Sequence, residues 1–220
     1  MPVNVDQYRE LLRETAAAGA RLVAVTKQRP LADLQTLYDL GQRDFGENRA
    51  DELANKAAQL PDDVRWHFIG HLQRNKVKQM IGSTHLLHSG DSLRLLRELD
   101  KRAAEQDRSL DVLLQYHIAQ EQSKYGLTRD SARELLDEVG REPLSHLRIV
   151  GVMGMATYTG AAAQVQREFN ELFSRFRELR AEYFPEDPAF REVSMGMSGD
   201  YQLALAAGST LVRVGSRLFS

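Results

Sequence analysis

Between Leu22 and Val214 the chain alternates two kinds of hydrophobic pattern. Short runs of adjacent apolar, often β-branched residues give way to longer stretches whose apolar positions return every three or four residues, the spacing that separates a strand from an amphipathic helix. LVAVT, RDFGEN, RWHFIG, HLLHS, LDVLLQYHIA, LRIVGVMGMA, EVSMGM and TLVRVG are the eight predicted strands. LADLQTLYDLG follows the first, with Leu31, Leu34, Leu37 and Tyr38 on one helical face and Gly41 as its stop. Further helices are predicted over residues 49–60, near 75–81, and over SLRLLRELDKRAAEQ, SARELLDEVG, FNELFSRFRELRAEYF and DYQLALAAG. Another, over residues 5–18, precedes the first strand.

Unbroken apolar strands are buried on both faces, as parallel strands are when crossover helices cover the sheet. Eight of them close a barrel. The predicted architecture is a single α/β domain over residues 1–220, a TIM-type (β/α)8 barrel with an extra N-terminal helix. An open doubly wound sheet is the alternative. No linker or low-complexity tract divides the chain; the loosest segment, TGAAAQ after the sixth strand, is predicted to be a mobile βα loop.

Composition narrows the function. A net charge of -2 gives no reason to expect nucleic acid or an anionic membrane as partner, which favours a small-molecule role. Cysteine is absent, so disulfides, thiolate zinc sites and thiol redox chemistry are excluded. The N-terminus has no apolar leader and no run reaches the length of a membrane span, so a cytoplasmic protein is expected.

In such a barrel the chemistry belongs at the C-terminal ends of the strands. Lys27, one of only six lysines, directly follows the first strand. An ammonium at the rim of an apolar barrel is poorly hydrated, which favours the neutral, nucleophilic amine of a Schiff-base lysine; the alternative is a lysine that reaches solvent or pairs with Glu47. The second, third and fourth strands end at Asn48, at Gly70 and His71, and at Ser89; the sixth ends near Met155 and Thr157. After the last two strands come MGMSGD, with Ser198 and Gly199, and VRVGS, with Gly215 and Ser216. Glycine N–H groups and serine hydroxyls at these positions suit a phosphate, although tight turns need glycine for conformational reasons alone. Arg213, two residues before Gly215, shares its strand face; an inward arginine needs a partner, such as a cofactor ring nitrogen or an acidic residue like Glu47.

Other patterns carry less. His67 with His71, and His85 with His88, have spacings that do not converge on a strand, so a metal site is not expected and these are read as strand-end hydrogen-bonders. Arg74, Lys76 and Lys78 read as a solvated helix face, since no aromatic platform for nucleic acid accompanies them. The methionines of VMGMA and SMGM read as core filler.

The segments AVTK, GQRDFGEN, WHFIGHLQRNK, SKYG, GVMGMAT, SMGMSGDY and GSTLVRVGS, in this order, resemble the signatures of the pyridoxal phosphate homeostasis protein family, relatives of the barrel domain of alanine racemase. The resemblance implies pyridoxal 5′-phosphate in the barrel mouth, held as an internal aldimine on Lys27, with its phosphate at Ser198, Gly215 and Ser216 and Arg213 facing the pyridine nitrogen. It makes Asn48 a cofactor-lining residue and Met155, His71, Ser194 and Gly199 further candidates. Lys124 of SKYG matches another family lysine whose polar loop suits phosphate or partner contact better. Arg49 after FGEN and the terminal RLFS depart from the family pattern, and Arg217 sits near the expected phosphate rim.

The resemblance also implies a non-catalytic carrier that buffers a reactive aldehyde and passes it to cofactor-dependent apo-enzymes. An arginine opposite the ring nitrogen weakens the ring as an electron sink, and the chain is read as ending after strand eight, without the second domain that supplies a racemase with its opposing base. The alternative is a racemase-like Schiff-base enzyme using Tyr158 or Tyr201 as base.

Overall fold

In the computed structural model, which describes residues 2–120 and 125–219, eight parallel strands close into a barrel in chain order. They are β1 (Arg21–Val25), β2 (Asp44–Glu47), β3 (Arg65–Phe68), β4 (Thr84–Gly90), β5 (Leu110–His117), β6 (Leu147–Met155), β7 (Glu192–Ser194) and β8 (Leu211–Val214). β8 pairs back onto β1, with Val23 opposite Arg213. The extra helix α1 (Val5–Ala17) precedes them; α2 (Leu31–Asp39), α3 (Ala50–Ala57), α4 (Val77–Met80), α5 (Leu93–Ala104), α6 (Arg129–Arg141), α7 (Ala162–Tyr183) and α8 (Tyr201–Ala206) form the crossovers.

Strand alternation sorts the side chains into two cores. Residues such as Ala24, Phe45, Trp66, Phe68, Leu87 and Val193 face the helices in a large outer core. The residues between them point inward, where Val23, Leu86, Leu113, Val150, Met153 and Leu211 form a small inner cluster. Gly151 is required where β6 meets β7: its φ is +155°, and a β-carbon there would lie 1.8 Å from the Glu192 carbonyl oxygen.

Several boundaries differ from the sequence reading. β7 is three residues long because the chain turns at Gly196 (φ +92°), whose β-carbon would meet Ala204 Cβ at 2.5 Å. Helix α7 begins at Ala162, so AAQ of the expected loop is helical. Helix α6 begins at Arg129, two residues early, behind a capping box of Thr128 and Ser131. A short 3-10 turn, Ser216–Phe219, follows β8 and ties to the N-terminus, where Asn4 N donates to the Leu218 carbonyl at 2.8 Å. Among the described residues no helix is long and apolar enough to cross a membrane.

Candidate functional site

Because all strands run parallel, their C-terminal ends form one mouth, and the predicted rim residues fall there. Lys27, Asn48, His71, Met155, Gly199 and Ser216 are exposed and Ser198 and Gly215 half-buried, whereas Ser194 and Arg213 are buried below them. Lys124 lies outside the described residues.

The backbone around Lys27 is held from both sides. Thr26 N donates to the Gly46 carbonyl at 3.0 Å, and Thr26 Oγ1 donates to Glu47 Oε1 at 2.6 Å. Lys56, from α3, donates through Nζ to the Thr26 carbonyl (2.8 Å), Glu47 Oε1 (2.8 Å) and Glu52 Oε1 (2.7 Å). The same Glu52 oxygen accepts from Gln28 N at 2.7 Å, and Gln28 sits at φ +61°. A left-handed non-glycine residue persists only where its surroundings over-determine it, and this clamp does so. Glu47 does not pair with Lys27, because it faces outward beneath the loop, bound to Thr26 and Lys56; burial pushes its carboxyl up against those bonds. Lys27 is exposed, not shielded, two residues past the end of β1. Removing Lys56 would leave Glu47 as a buried, unpaired charge, a change that costs about 3–5 kcal/mol in comparable sites.

Gly70 brings the ends of β2 and β3 together: a β-carbon there would lie 2.3 Å from the Asn48 carbonyl oxygen. His71 uses Nδ1 to meet Asp91 Oδ2 at 3.3 Å, and its ring stacks on Tyr125 with centroids 3.7 Å apart. Thr157 is engaged by Glu168 of α7 through both its N–H and its hydroxyl, and Ser89 is buried within β4, not at its end.

Across the mouth, Ser198 Oγ accepts from Gly215 N at 3.2 Å, joining the loops after β7 and β8. Among the described residues the N–H groups of Gly199 and Ser216 have no protein acceptor, and a β-carbon on Gly199 would meet nothing within 4 Å. Two unengaged N–H groups beside two hydroxyls, with open space above, fit a phosphate. Asp200 closes the loop, accepting from Met197 N at 2.6 Å, and burial pushes its carboxyl up. Arg217 donates to Tyr201 Oη at 3.2 Å and lies over that ring.

Arg213 is 4 % exposed and has no carboxylate partner among the described residues. Its Nη1 donates to Ser194 Oγ at 2.5 Å and its Nη2 to the Gly154 carbonyl at 3.2 Å. Burial lowers its pKa to about 10, which leaves it cationic at neutral pH. The arrangement leaves N–H groups of the guanidinium for an acceptor in the mouth.

The barrel interior is more polar than expected. Ser194 Oγ lies 2.8 Å from His88 Nδ1, His88 Nε2 lies 2.9 Å from His67 Nδ1, and His67 Nε2 lies 2.9 Å from Asp44 Oδ1. His67 and His88 are therefore not strand-end residues; both are fully buried. The signal that placed them was present, since each falls between outward-facing neighbours, Trp66 and Phe68 for one and Leu87 for the other. The hydroxyl of Ser194, a residue expected to contact a cofactor, bonds to His88 and Arg213. Among the described residues no group of three His, Asp or Glu side chains is placed to hold a metal ion.

This interior sets a pH dependence. Burial, first, and then the nearby His67 and Arg213 hold the His88 imidazole well below its ordinary 6.5, so the unfolded chain binds a proton there before the folded one does. Hydrogen bonds from Arg65 and His67 outweigh burial to hold Asp44 well below the carboxylate range. Both contributions are fully present above the unfolded values and lost on acidification. Urea unfolding against pH is expected to show constant stability near neutrality, a decline starting below about pH 6.5, and a second, steeper decline below about pH 4. Burial also lowers the His85 imidazole, so a His88→Gln chain should lose most of the first decline, retain the smaller part due to His85, and keep the second.

Residues 4–220 match the family described as alanine racemase, N-terminal domain. The chain is 41 % identical over 207 residues to the pyridoxal phosphate homeostasis protein of Deinococcus radiodurans, covering 93 % of this chain and 91 % of that one. It is 36 % identical over 214 residues to the protein of the same name from Synechocystis, covering 96 % and 95 %. Among solved structures, PipY of Synechococcus elongatus is 34 % identical and covers 98 % of this chain and 99 % of its own, with a TM-score of 0.90 without PLP and 0.86 with PLP bound.

Proposed function

The chain belongs to the alanine racemase N-terminal domain family and, within it, to the pyridoxal phosphate homeostasis proteins, and from that premise we propose that it binds pyridoxal 5′-phosphate in the barrel mouth, holding and releasing it without turning over amino acids. The observation that carries this reading is the meeting of three unlike groups at one end of the barrel. An exposed amine at Lys27, a set of N–H and hydroxyl groups at Ser198, Gly199, Gly215 and Ser216, and the buried cation Arg213 match the aldehyde, phosphate and ring nitrogen of one small molecule. Bound there, pyridoxal 5′-phosphate supplies an aldehyde that a lysine amine captures covalently, and Lys27 is the amine we assign. Asn48 and His71 border the ring from the ends of β2 and β3, and Met155 contributes an apolar edge from β6.

Carriage without turnover is supported by what surrounds the amine. Proton abstraction from an amino acid needs a base held opposite the lysine. Tyr201 is unsuited: its hydroxyl donates to Glu14 Oε2 of α1 at 2.5 Å and accepts from Arg217. Tyr158 is 99 % exposed, on the solvent side of its loop and not enclosed with a bound molecule. Cofactor-dependent apo-enzymes are the proposed recipients, and Lys124 is proposed to serve contact outside the cofactor site.

The purified protein mixed with pyridoxal 5′-phosphate is expected to develop a visible absorption band that hydroxylamine discharges; a spectrum equal to the sum of its components contradicts the reading. Incubation with a panel of amino acids should give no sustained racemisation or elimination, and turnover lost with Lys27→Ala would establish the enzyme instead. Arg213→Ala should shift the visible band more than it weakens retention, whereas Ser198→Ala should weaken retention about tenfold with the band unmoved. Equilibrium dialysis with spectra on both variants reads the difference, and the reverse pattern would mean the ring is turned around.

A further inference from the structure

We infer that His67 and His88 are positioning residues for Arg213, forming with Ser194 and Asp44 a buried hydrogen-bond chain in which every proton points toward Asp44. The inference rests on the cofactor-binding reading above only in its last step, where Arg213 meets the ring nitrogen.

The direction follows from which atoms can donate. Arginine has no acceptor, so at the Arg213 contact Ser194 Oγ must accept. The remaining partner of that buried oxygen is His88 Nδ1 at 2.8 Å. The serine proton goes there, because the other choice leaves a buried hydroxyl hydrogen with no acceptor. His88 Nδ1 is then bare, its proton sits on Nε2, and Nε2 donates to His67 Nδ1 at 2.9 Å. His67 in turn carries its proton on Nε2 and donates to Asp44 Oδ1 at 2.9 Å. With both rings neutral, one orientation satisfies all four contacts, and it spans five strands of the barrel: β8, β7, β4, β3 and β2.

The chain answers a question that Arg213 raises. A buried guanidinium without a carboxylate beside it is costly, and among the described residues Arg213 hydrogen-bonds only to a hydroxyl and a carbonyl. Aligned hydrogen bonds polarise one another, so the Asp44 carboxylate at the far end enriches the Ser194 lone pair that Arg213 uses. The guanidinium is thereby held in one orientation, with its remaining N–H groups available to the mouth. The charged and titratable groups that face the chain are Arg21 and Arg65 at the Asp44 end, Glu192 bound to Arg21, His85 beside His67, Asp111 beyond it, and Asp200 near Arg213.

Nitrogen NMR of the whole chain labelled with 15N-histidine, with no ligand added, reads the protons directly. At about pH 7.5 both buried rings are expected to be neutral with the proton on Nε2; a proton on His88 Nδ1 overturns the inference. In protein loaded with pyridoxal 5′-phosphate, His88→Leu should lower the pH midpoint of the visible band by about one unit, because an Arg213 charge less compensated by its acceptor disfavours a nearby proton. His88→Gln, whose amide can donate to His67 and accept from Ser194, should restore the midpoint. A residue that merely fills space would change the melting temperature and leave the midpoint alone, and a His88→Leu titration superimposed on the parent's overturns the inference. Ser194→Ala cuts the same chain at the next link and takes the place of His88→Leu if that variant does not fold. Failure to take up pyridoxal 5′-phosphate counts against the proposed function alone, since the ligand-free nitrogen spectrum still decides the direction of the chain.

Discussion

Replacing Lys27 by alanine is expected to abolish covalent uptake of pyridoxal 5′-phosphate while leaving the barrel intact. Of the described lysines, Lys56 is buried and spends its ammonium on Thr26, Glu47 and Glu52, and Lys76, Lys78 and Lys101 sit on helical segments outside the strands. Lys27 alone emerges from the end of a strand, with its backbone clamped and its side chain exposed. Among the described residues its ammonium has no ion-pair partner, so its removal leaves nothing buried and unpaired. Exposed substitutions of this kind change stability by no more than about 0.5 kcal/mol. The variant should therefore melt with the parent protein, show no visible band, and gain no mass on reduction with borohydride. Loss of the band together with a large drop in melting temperature would point to a damaged fold and not to a missing nucleophile.

The second large effect concerns the phosphate. Pyridoxal, which has the aldehyde and ring but a hydroxyl in place of the phosphate, is expected to bind at least about 100-fold more weakly than pyridoxal 5′-phosphate. Hydrogen bonds to a charged acceptor are worth about 1.5–3 kcal/mol each, and two of them make up that factor. The donors we propose are the N–H groups of Gly199 and Ser216 and the hydroxyls of Ser198 and Ser216, beside the bond from Gly215 N to Ser198 Oγ that joins the two loops. Competition dialysis measures the ratio. Equal affinity for the two aldehydes would remove the phosphate assignment while leaving Lys27 untouched.

The barrel was readable because its cause is local. Runs such as LVAVT and LDVLLQY repeat apolar residues without the gaps that a helix surface needs, and eight of them in alternation with amphipathic helices leave few ways to cover every strand. Boundaries were harder where a distant contact decides them, as at Gly196, where packing against Ala204 of α8 cuts β7 to three residues. The rim residues were legible from the same logic that found the strands, since parallel strands put all their C-terminal ends together. What joins those residues was not. Lys56 bonds to Thr26, thirty positions earlier in the sequence and on another element. The histidine chain links β3 and β4 to β7 and β8 and exists only once the barrel has closed. The dehydrated lysine expected from an apolar rim is likewise a statement about packing, and Lys27 is exposed instead.

The most direct test is peptide mapping of the unmodified protein after exposure to pyridoxal 5′-phosphate and reduction with borohydride. One phosphopyridoxyl group per chain, carried on Lys27, is the expected product. A label on Lys124, a label spread over the surface lysines, or no label at all would contradict it.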